Sequence, residues 1–264
     1  MEKSTNVIYI TSKCNLNCEY CYEKENRPDN VMTNEEIDAY FDYLDKHSAP
    51  YSHIVLFGGE PLLYLNKIEY ILNKIVNEYS YKHYSVSMNT NGILLLDDKV
   101  FNKFLELNKI QKIHIKISYD GSHSFRRIDY NGNCVNDKIE QVMEKLRAHG
   151  IKYAISYTWH KDNDKTIVYD IIEILEKYNP TKIEISTNCS EIDSLYTSYL
   201  DRKKELIPYM LAIYLRYKIP ICDFTCSICR KCVFNSCNIY GVHGKKEGIK
   251  RPKQVLDTFS LWNV

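Results

Sequence analysis

Residues 6–21 read NVIYITSKCNLNCEYC, a short β-branched apolar run that opens into a loop carrying Cys14, Cys18 and Cys21. The spacing is C-x3-C-x2-C. Thiols this close do not bridge one another without strain, but they converge readily on a metal centre. The count of three is informative, because structural zinc closes its shell with four protein ligands whereas a reactive centre keeps one position open. A cubane 4Fe–4S cluster on three cysteines leaves one iron exposed. A zinc site with a fourth ligand from elsewhere in the chain is the alternative. A disulfide-stapled loop has no export signal to support it.

Working outward, 264 residues suit one large domain, or one domain with a small appendage. Hydrophobic content of 44% and charged content of 26% are those of a soluble globular protein. A formal net charge of +1 argues against a nucleic-acid partner, and Lys245-Lys246 and Lys250-Arg251 read as a solvated tail. The first eleven residues hold no long apolar run, so neither a signal peptide nor a membrane span is expected. Ten cysteines in such a chain point to metal rather than disulfides, and to the cytoplasm.

The hydrophobic pattern alternates strand with helix. Strands are expected at 6–11, 53–57, 83–89, 113–118, 153–158 and 182–186. Helices are expected at about 33–47, opened by the capping-box sequence Thr33-Asn-Glu-Glu36, and at 64–79, 97–107, 135–149, 164–178 and 199–217. Gly150 is a natural C-cap, and Pro208 marks a kink or a fresh start in the last helix. Such alternation implies βαβ units and a parallel sheet, with fewer units than the eight of a full barrel.

Ligands of α/β folds collect at the carboxyl ends of the strands, which locates the site without further knowledge. The cysteine loop follows strand one. Gly58-Gly59-Glu60-Pro61 follows strand two, where paired glycines let backbone approach a ligand and Glu60 offers an acceptor. Asn89-Thr90-Asn91-Gly92 follows strand three and Ser118-Tyr119-Asp120-Gly121 follows strand four, with Arg126 and Arg127 just downstream. Taken singly, each is compatible with an ordinary turn.

Taken together they resemble the radical S-adenosylmethionine (SAM) superfamily, over roughly residues 6–190. The resemblance implies that Cys14, Cys18 and Cys21 hold a 4Fe–4S cluster whose open iron binds SAM, with Tyr20 part of the same signature. It implies that Gly58, Gly59 and Glu60 hold the SAM aminium group, in a charge-assisted contact. Ser118 then lies against the ribose or methionine portion, with Asn89 at the cofactor site. Asp120 is either a SAM contact or a loop cap. One of Arg126 and Arg127 pairs with the SAM carboxylate, as a planar guanidinium suits. One electron from the cluster splits SAM into methionine and a 5′-deoxyadenosyl radical.

The C-terminal third holds Cys222, Cys226, Cys229, Cys232 and Cys237. The spacing of Cys226, Cys229 and Cys232 is that of a ferredoxin 4Fe–4S site, with a four-cysteine zinc knuckle as the alternative. Such a tail resembles the SPASM and twitch extensions that bind auxiliary clusters, and one second Fe–S cluster is favoured over zinc. Cys134 is expected to be a core or loop thiol, and Cys189 a bystander just past strand six. His160 and Tyr157 are the residues at the end of strand five to test for substrate contact.

The expected fold is therefore an α/β partial (β/α)6 radical SAM barrel over residues 1–218, with a cysteine-rich module over 219–264. The expected activity is hydrogen abstraction from a peptide or protein side chain. A radical SAM enzyme acting on a nucleoside or cofactor precursor is the alternative, and a non-catalytic metal-binding redox sensor a further one. A flavodoxin or ferredoxin would supply the electron. Because strand one begins almost at once, a peptide substrate would need a separate leader-recognition protein.

Overall fold

The computed structural model describes residues 3–21, 30–188, 191–192, 194–195, 198–222, 224 and 236–241. Among the described residues there are eight strands: β1 Lys3–Thr11, β2 Tyr51–Gly58, β3 His83–Thr90, β4 Ile113–Ser118, β5 Tyr153–Trp159, β6 Ile183–Thr187, β7 Ile221–Cys222 and β8 Ser236–Gly241. They form one sheet in the order β7-β6-β5-β4-β3-β2-β1-β8, and every pairing is parallel. Six longer α-helices accompany them among the described residues: α1 Asn34–His47, α2 Leu65–Asn77, α3 Asp98–Ile110, α4 Asn136–Ala148, α5 Ile167–Tyr178 and α6 Tyr199–Tyr217. Helices α1 to α4 each link two strands that are neighbours in the sheet, as does α5, so the expected βαβ repeat is the architecture of the chain.

Local chemistry explains the helix ends. Thr33 and Glu36 form the reciprocal capping box of α1, with Glu36 N donating to Thr33 Oγ1 at 3.1 Å and Thr33 N to Glu36 Oε2 at 3.0 Å. Asp97 caps α3 by accepting from the Lys99 and Val100 amides. Gly150, at φ +67°, follows α4 in the left-handed conformation that lets Ile151 N reach back to Leu146 O. Helix α6 runs unbroken through Pro208.

Each helix buries one stripe. In α1 this is Ile37, Tyr40, Phe41 and Leu44, the i, i+3, i+4, i+7 spacing of one face. These stripes pack on one set of strand positions, among them Ile8, Leu56, Met88, Ile115 and Ile155, all essentially inaccessible. Alternate positions carry Ser87, Lys116, Ser156 and Glu184. The second face is thus polar over β3 to β6, while β1 and β2 carry Val7, Tyr9, Val55 and Phe57 there. Across it Lys116 and Glu184 pair at 2.7 Å.

The structure adds two strands to the six expected. Strand β7 has only two residues, too short for a periodic signal, and β8 lies in a stretch whose cysteines dominate its reading. Both belong to the segment assigned to a separate cysteine-rich module, yet they extend opposite edges of the sheet. No helix among the described residues is long and apolar enough to cross a membrane.

Candidate active site

The cysteine loop is pinned on both sides by backbone. Gly59 N donates to Thr11 O at 2.7 Å, and Glu60 N to Lys13 O at 2.8 Å. On the other side Asn17 N donates to Ile128 O at 2.9 Å, and Glu19 N to Arg126 O at 3.0 Å. A Cβ on Gly58 would stand 2.3 Å from Thr11 O, and one on Gly59 2.2 Å from Lys13 O. Gly58 also sits at φ +148°. The paired glycines were expected to admit a ligand; what they admit first is the backbone that leads into the cysteines.

Above the carboxyl ends of the strands lies a cavity of about 440 Å³. Cys14, Cys18, Cys21 and Tyr20 line one side, with Gly58 and Gly59 from the end of β2. Asn89, Thr90 and Asn91 come from β3, Ser118 from β4, Ser156 and Thr158 from β5, and Ser186, Thr187 and Asn188 from β6. Arg127 completes the wall. Six consecutive strand ends therefore converge on the three thiols, where the general rule for α/β sheets places a site. The hydroxyl-bearing ends of β5 and β6 were not singled out from sequence. Only the strand-end rule, applied to every strand, could have found them.

Three expected site residues stand behind the wall rather than on it. Glu60 is fully buried; it accepts from Thr90 Oγ1 at 2.6 Å, Leu62 N at 3.0 Å and Asn91 N at 2.9 Å. Burial pushes its pKa up to about 7, against the pull of those three donors. It ties the end of β2 to the end of β3. Asp120, 1% exposed, accepts from Tyr20 OH, from Arg127 Nη2 at 2.9 Å and from Thr158 N at 2.8 Å. Arg126 faces outward to Glu191, Glu19 and Asp162, with its nearest carboxylate oxygen at 2.8 Å. Of the two arginines, Arg127 lines the cavity and Arg126 does not.

His160 and Tyr157 do not reach it either. The His160 ring is buried, stacked on Tyr20 with centroids 5.4 Å apart, and its Nε2 lies 3.0 Å from Ser124 Oγ. Tyr157 donates to buried Asp170 at 3.1 Å on the helix side of β5. Cys134 is exposed, in a loop bridge to Ile128.

Of the C-terminal cysteines, Cys222 on β7 pairs in register with Glu184, and Cys237 on β8 with Thr5. Cys226, Cys229 and Cys232 lie outside the described residues, as does Cys189. The group of potential metal ligands that the described residues do bring together is His123, Asp170 and Glu173, whose ligand atoms lie within 4.8 Å of one another. No cysteine takes part in it. Asp170 is also a packing residue, taking Thr166 Oγ1 at 2.8 Å beneath Gly121.

The cavity wall fits the cluster and cofactor that the sequence resemblance implies. Three thiols face one space; burial pushes the Cys18 thiol up, and the Arg127 guanidinium offsets part of that rise. Asn89 Oδ1 is buried without a hydrogen-bond partner. Arg127 Nε lies 2.8 Å from Asp120 Oδ2 but lacks the alignment of a hydrogen bond. A buried acceptor without a partner and a buried guanidinium on the same cavity wall suit a zwitterion that carries both an ammonium and a carboxylate.

Comparison with known proteins agrees. The chain is 31% identical over 177 residues to a GTP 3′,8-cyclase of Clostridium perfringens, covering 66% of this chain and 51% of the relative. It is 26% identical over 195 residues to the radical SAM cyclopropyl synthase TigE of Paramaledivibacter caminithermalis, covering 67% and 40%. The chain thus spans about half the length of the curated relatives it matches. Among solved structures it superposes on anSMEcpe with bound AdoMet and a peptide, at a TM-score of 0.64 and 19% identity over 82% of this chain and 62% of that one. It also superposes on Streptococcus suis SuiB bound to its precursor peptide SuiA, at a TM-score of 0.59 and 17% identity over 92% and 50%. At these identities the likeness is one of fold. The family model for the radical SAM superfamily matches residues 8–175, well over half of the chain and the whole of the cysteine loop, and the chain belongs to that superfamily of SAM- and Fe–S-dependent enzymes.

Proposed function

We propose that the chain reductively cleaves SAM at a 4Fe–4S cluster held by Cys14, Cys18 and Cys21, and abstracts hydrogen from a peptide or protein side chain. The observation that carries this reading is the convergence of the three thiols and the buried Arg127 guanidinium on one cavity. Bound there, cluster and SAM together supply a 5′-deoxyadenosyl radical. The chain's own residues bind and orient. Arg127 takes the carboxylate of SAM, Asn89 Oδ1 accepts from its ammonium, and Ser118 meets the ribose or methionine portion. Glu60 acts from behind by fixing Thr90 and Asn91 in the wall.

The remainder of the wall, from Ser156 to Asn188, offers hydroxyls and an amide and no charge among the described lining residues. Such a surface suits an uncharged group that makes hydrogen bonds, as a peptide side chain and backbone do. A nucleoside triphosphate needs several cations, and among the described lining residues Arg127, which takes the SAM carboxylate, is the one cation. The shared fold with anSMEcpe and SuiB, both seen with peptides, supports the same choice. The second reading, a nucleoside substrate, draws on the identity to a GTP 3′,8-cyclase. An auxiliary Fe–S cluster among Cys222–Cys237, with zinc as the alternative, completes the proposal. So do a flavodoxin or ferredoxin as electron donor and a cytoplasmic setting.

The test is anaerobic incubation of the reconstituted protein with SAM and dithionite. Formation of 5′-deoxyadenosine by wild type and not by Cys18→Ala is expected, and its absence from wild type would end the reading. A mass change in a co-expressed peptide supports the peptide substrate, whereas conversion of added GTP would replace it.

A further inference from the structure

Asp120 joins parts of the chain that are far apart in sequence. Tyr20 belongs to the cysteine loop, Arg127 to the segment before α4, and Thr158 to the end of β5. All three donate to this one carboxylate, which is 1% exposed and does not line the cavity. Arg127 is itself 8% exposed, and its guanidinium carbon lies 5.4 Å from the centre of the Tyr20 ring. Placing an ion pair this deep costs desolvation that its attraction only partly returns, so burial of the pair does not by itself stabilise the fold. What the pair does accomplish is orientation. With one edge of the guanidinium held by Asp120, Arg127 still lines the cavity, where its other edge is available to a carboxylate.

We propose that Asp120 is a positioning residue for SAM. It does not touch the cofactor but holds Arg127 and Tyr20, and through Tyr20 the cysteine loop, in the geometry that receives it. This rests on the proposed SAM-binding function of the cavity. The loop, the cofactor wall and the substrate-side strand β5 are then set by one carboxylate, ahead of any ligand.

The test uses the reconstituted full chain and SAM as probe. Asp120→Asn keeps the shape and removes the charge. Iron and sulfide content should match wild type, while the dissociation constant for SAM, read from the EPR signal of the reduced cluster, should rise about tenfold, the scale of a lost charge-assisted contact. The midpoint potential of the SAM-free cluster should move upward, because a negative charge has left its surroundings. Arg127→Lys should weaken SAM binding as well, and adding Asp120→Asn to it should cost little more, because the two residues act as a unit.

Wild-type SAM affinity and potential in Asp120→Asn would overturn the proposal. So would additive losses in the double variant, which would mean that Asp120 acts independently of Arg127. Loss of iron from Asp120→Asn would make the residue part of the cluster loop's fold and equally overturn it. If the wild-type signal does not respond to SAM at all, the failure belongs to the proposed function instead.

Discussion

Gly59 approaches Lys13 so closely that a side chain at position 59 would meet the Lys13 carbonyl oxygen at 2.2 Å. Both atoms in that contact are backbone-fixed, so neither can swing aside. Gly59→Ala is therefore expected to push the 11–13 segment away, lose the Glu60 N to Lys13 O bond at 2.8 Å, and destabilise by about 2 kcal/mol or more. The loss should fall on the cysteine loop before the barrel. Iron per chain should drop sharply while far-ultraviolet circular dichroism stays near wild type. Full iron loading in Gly59→Ala would show that this contact does not set the loop.

How much of this was legible beforehand follows from the range of each interaction. The capping box at Thr33, the glycine stop at Gly150 and the six long strands are governed by near neighbours, and periodicity reads them directly. The cysteine loop and the strand-end turns were legible because spacing and position suffice to name them. The division of labour within the site was not. Glu60 and Asp120 look alike in sequence to residues that touch a ligand, yet partners thirty and a hundred residues away turn both behind the wall. The same holds for Arg126 and Arg127. They are adjacent in the chain, but Glu191 draws one outward and Asp120 draws the other in.

Glu60 gives the site a pH signature. Its carboxyl ordinarily titrates at 4.5 and is pushed by burial up to about 7. A carboxyl whose folded value is raised holds its proton more tightly folded than unfolded. Its contribution to stability is thus fully present below 4.5 and is lost as the pH climbs through about 7. The melting temperature of wild type relative to Glu60→Gln should fall between about pH 5 and about pH 8 and then level off. A constant difference across that range would show that Thr90, Leu62 and Asn91 outweigh burial and keep the group ionised.

Away from the site, the capping box offers a measure of local stability. Thr33 and Glu36 satisfy each other's amides at the exposed start of α1. Thr33→Ala removes one acceptor and leaves the Glu36 amide to water, at a cost of about 1 kcal/mol. For a chain of this size that corresponds to a fall of about 2–4 °C in melting temperature. SAM binding should be unchanged, because α1 buries its stripe against α2 and the sheet, away from the cavity. A change in SAM affinity would mean that α1 couples to the cysteine loop.

The C-terminal cysteines call for a variant that removes the first cluster. With Cys14, Cys18 and Cys21 all replaced by Ala, retention of about four irons and matching sulfide after anaerobic preparation would establish a second Fe–S cluster. That is the expected outcome of the proposed auxiliary site. Zinc in its place has two candidate addresses, the cysteines between 222 and 237 and the group His123, Asp170 and Glu173. Adding His123→Ala and Glu173→Gln separates them, because these changes leave every thiol intact and spare buried Asp170, which Tyr157 and Thr166 also hold. Zinc that survives both changes belongs to the cysteines and makes the tail a structural knuckle. Zinc that disappears belongs to the histidine and carboxylates. Neither metal in the triple variant would remove the auxiliary site from the proposal, and with it the SPASM-like part of the argument for a peptide substrate.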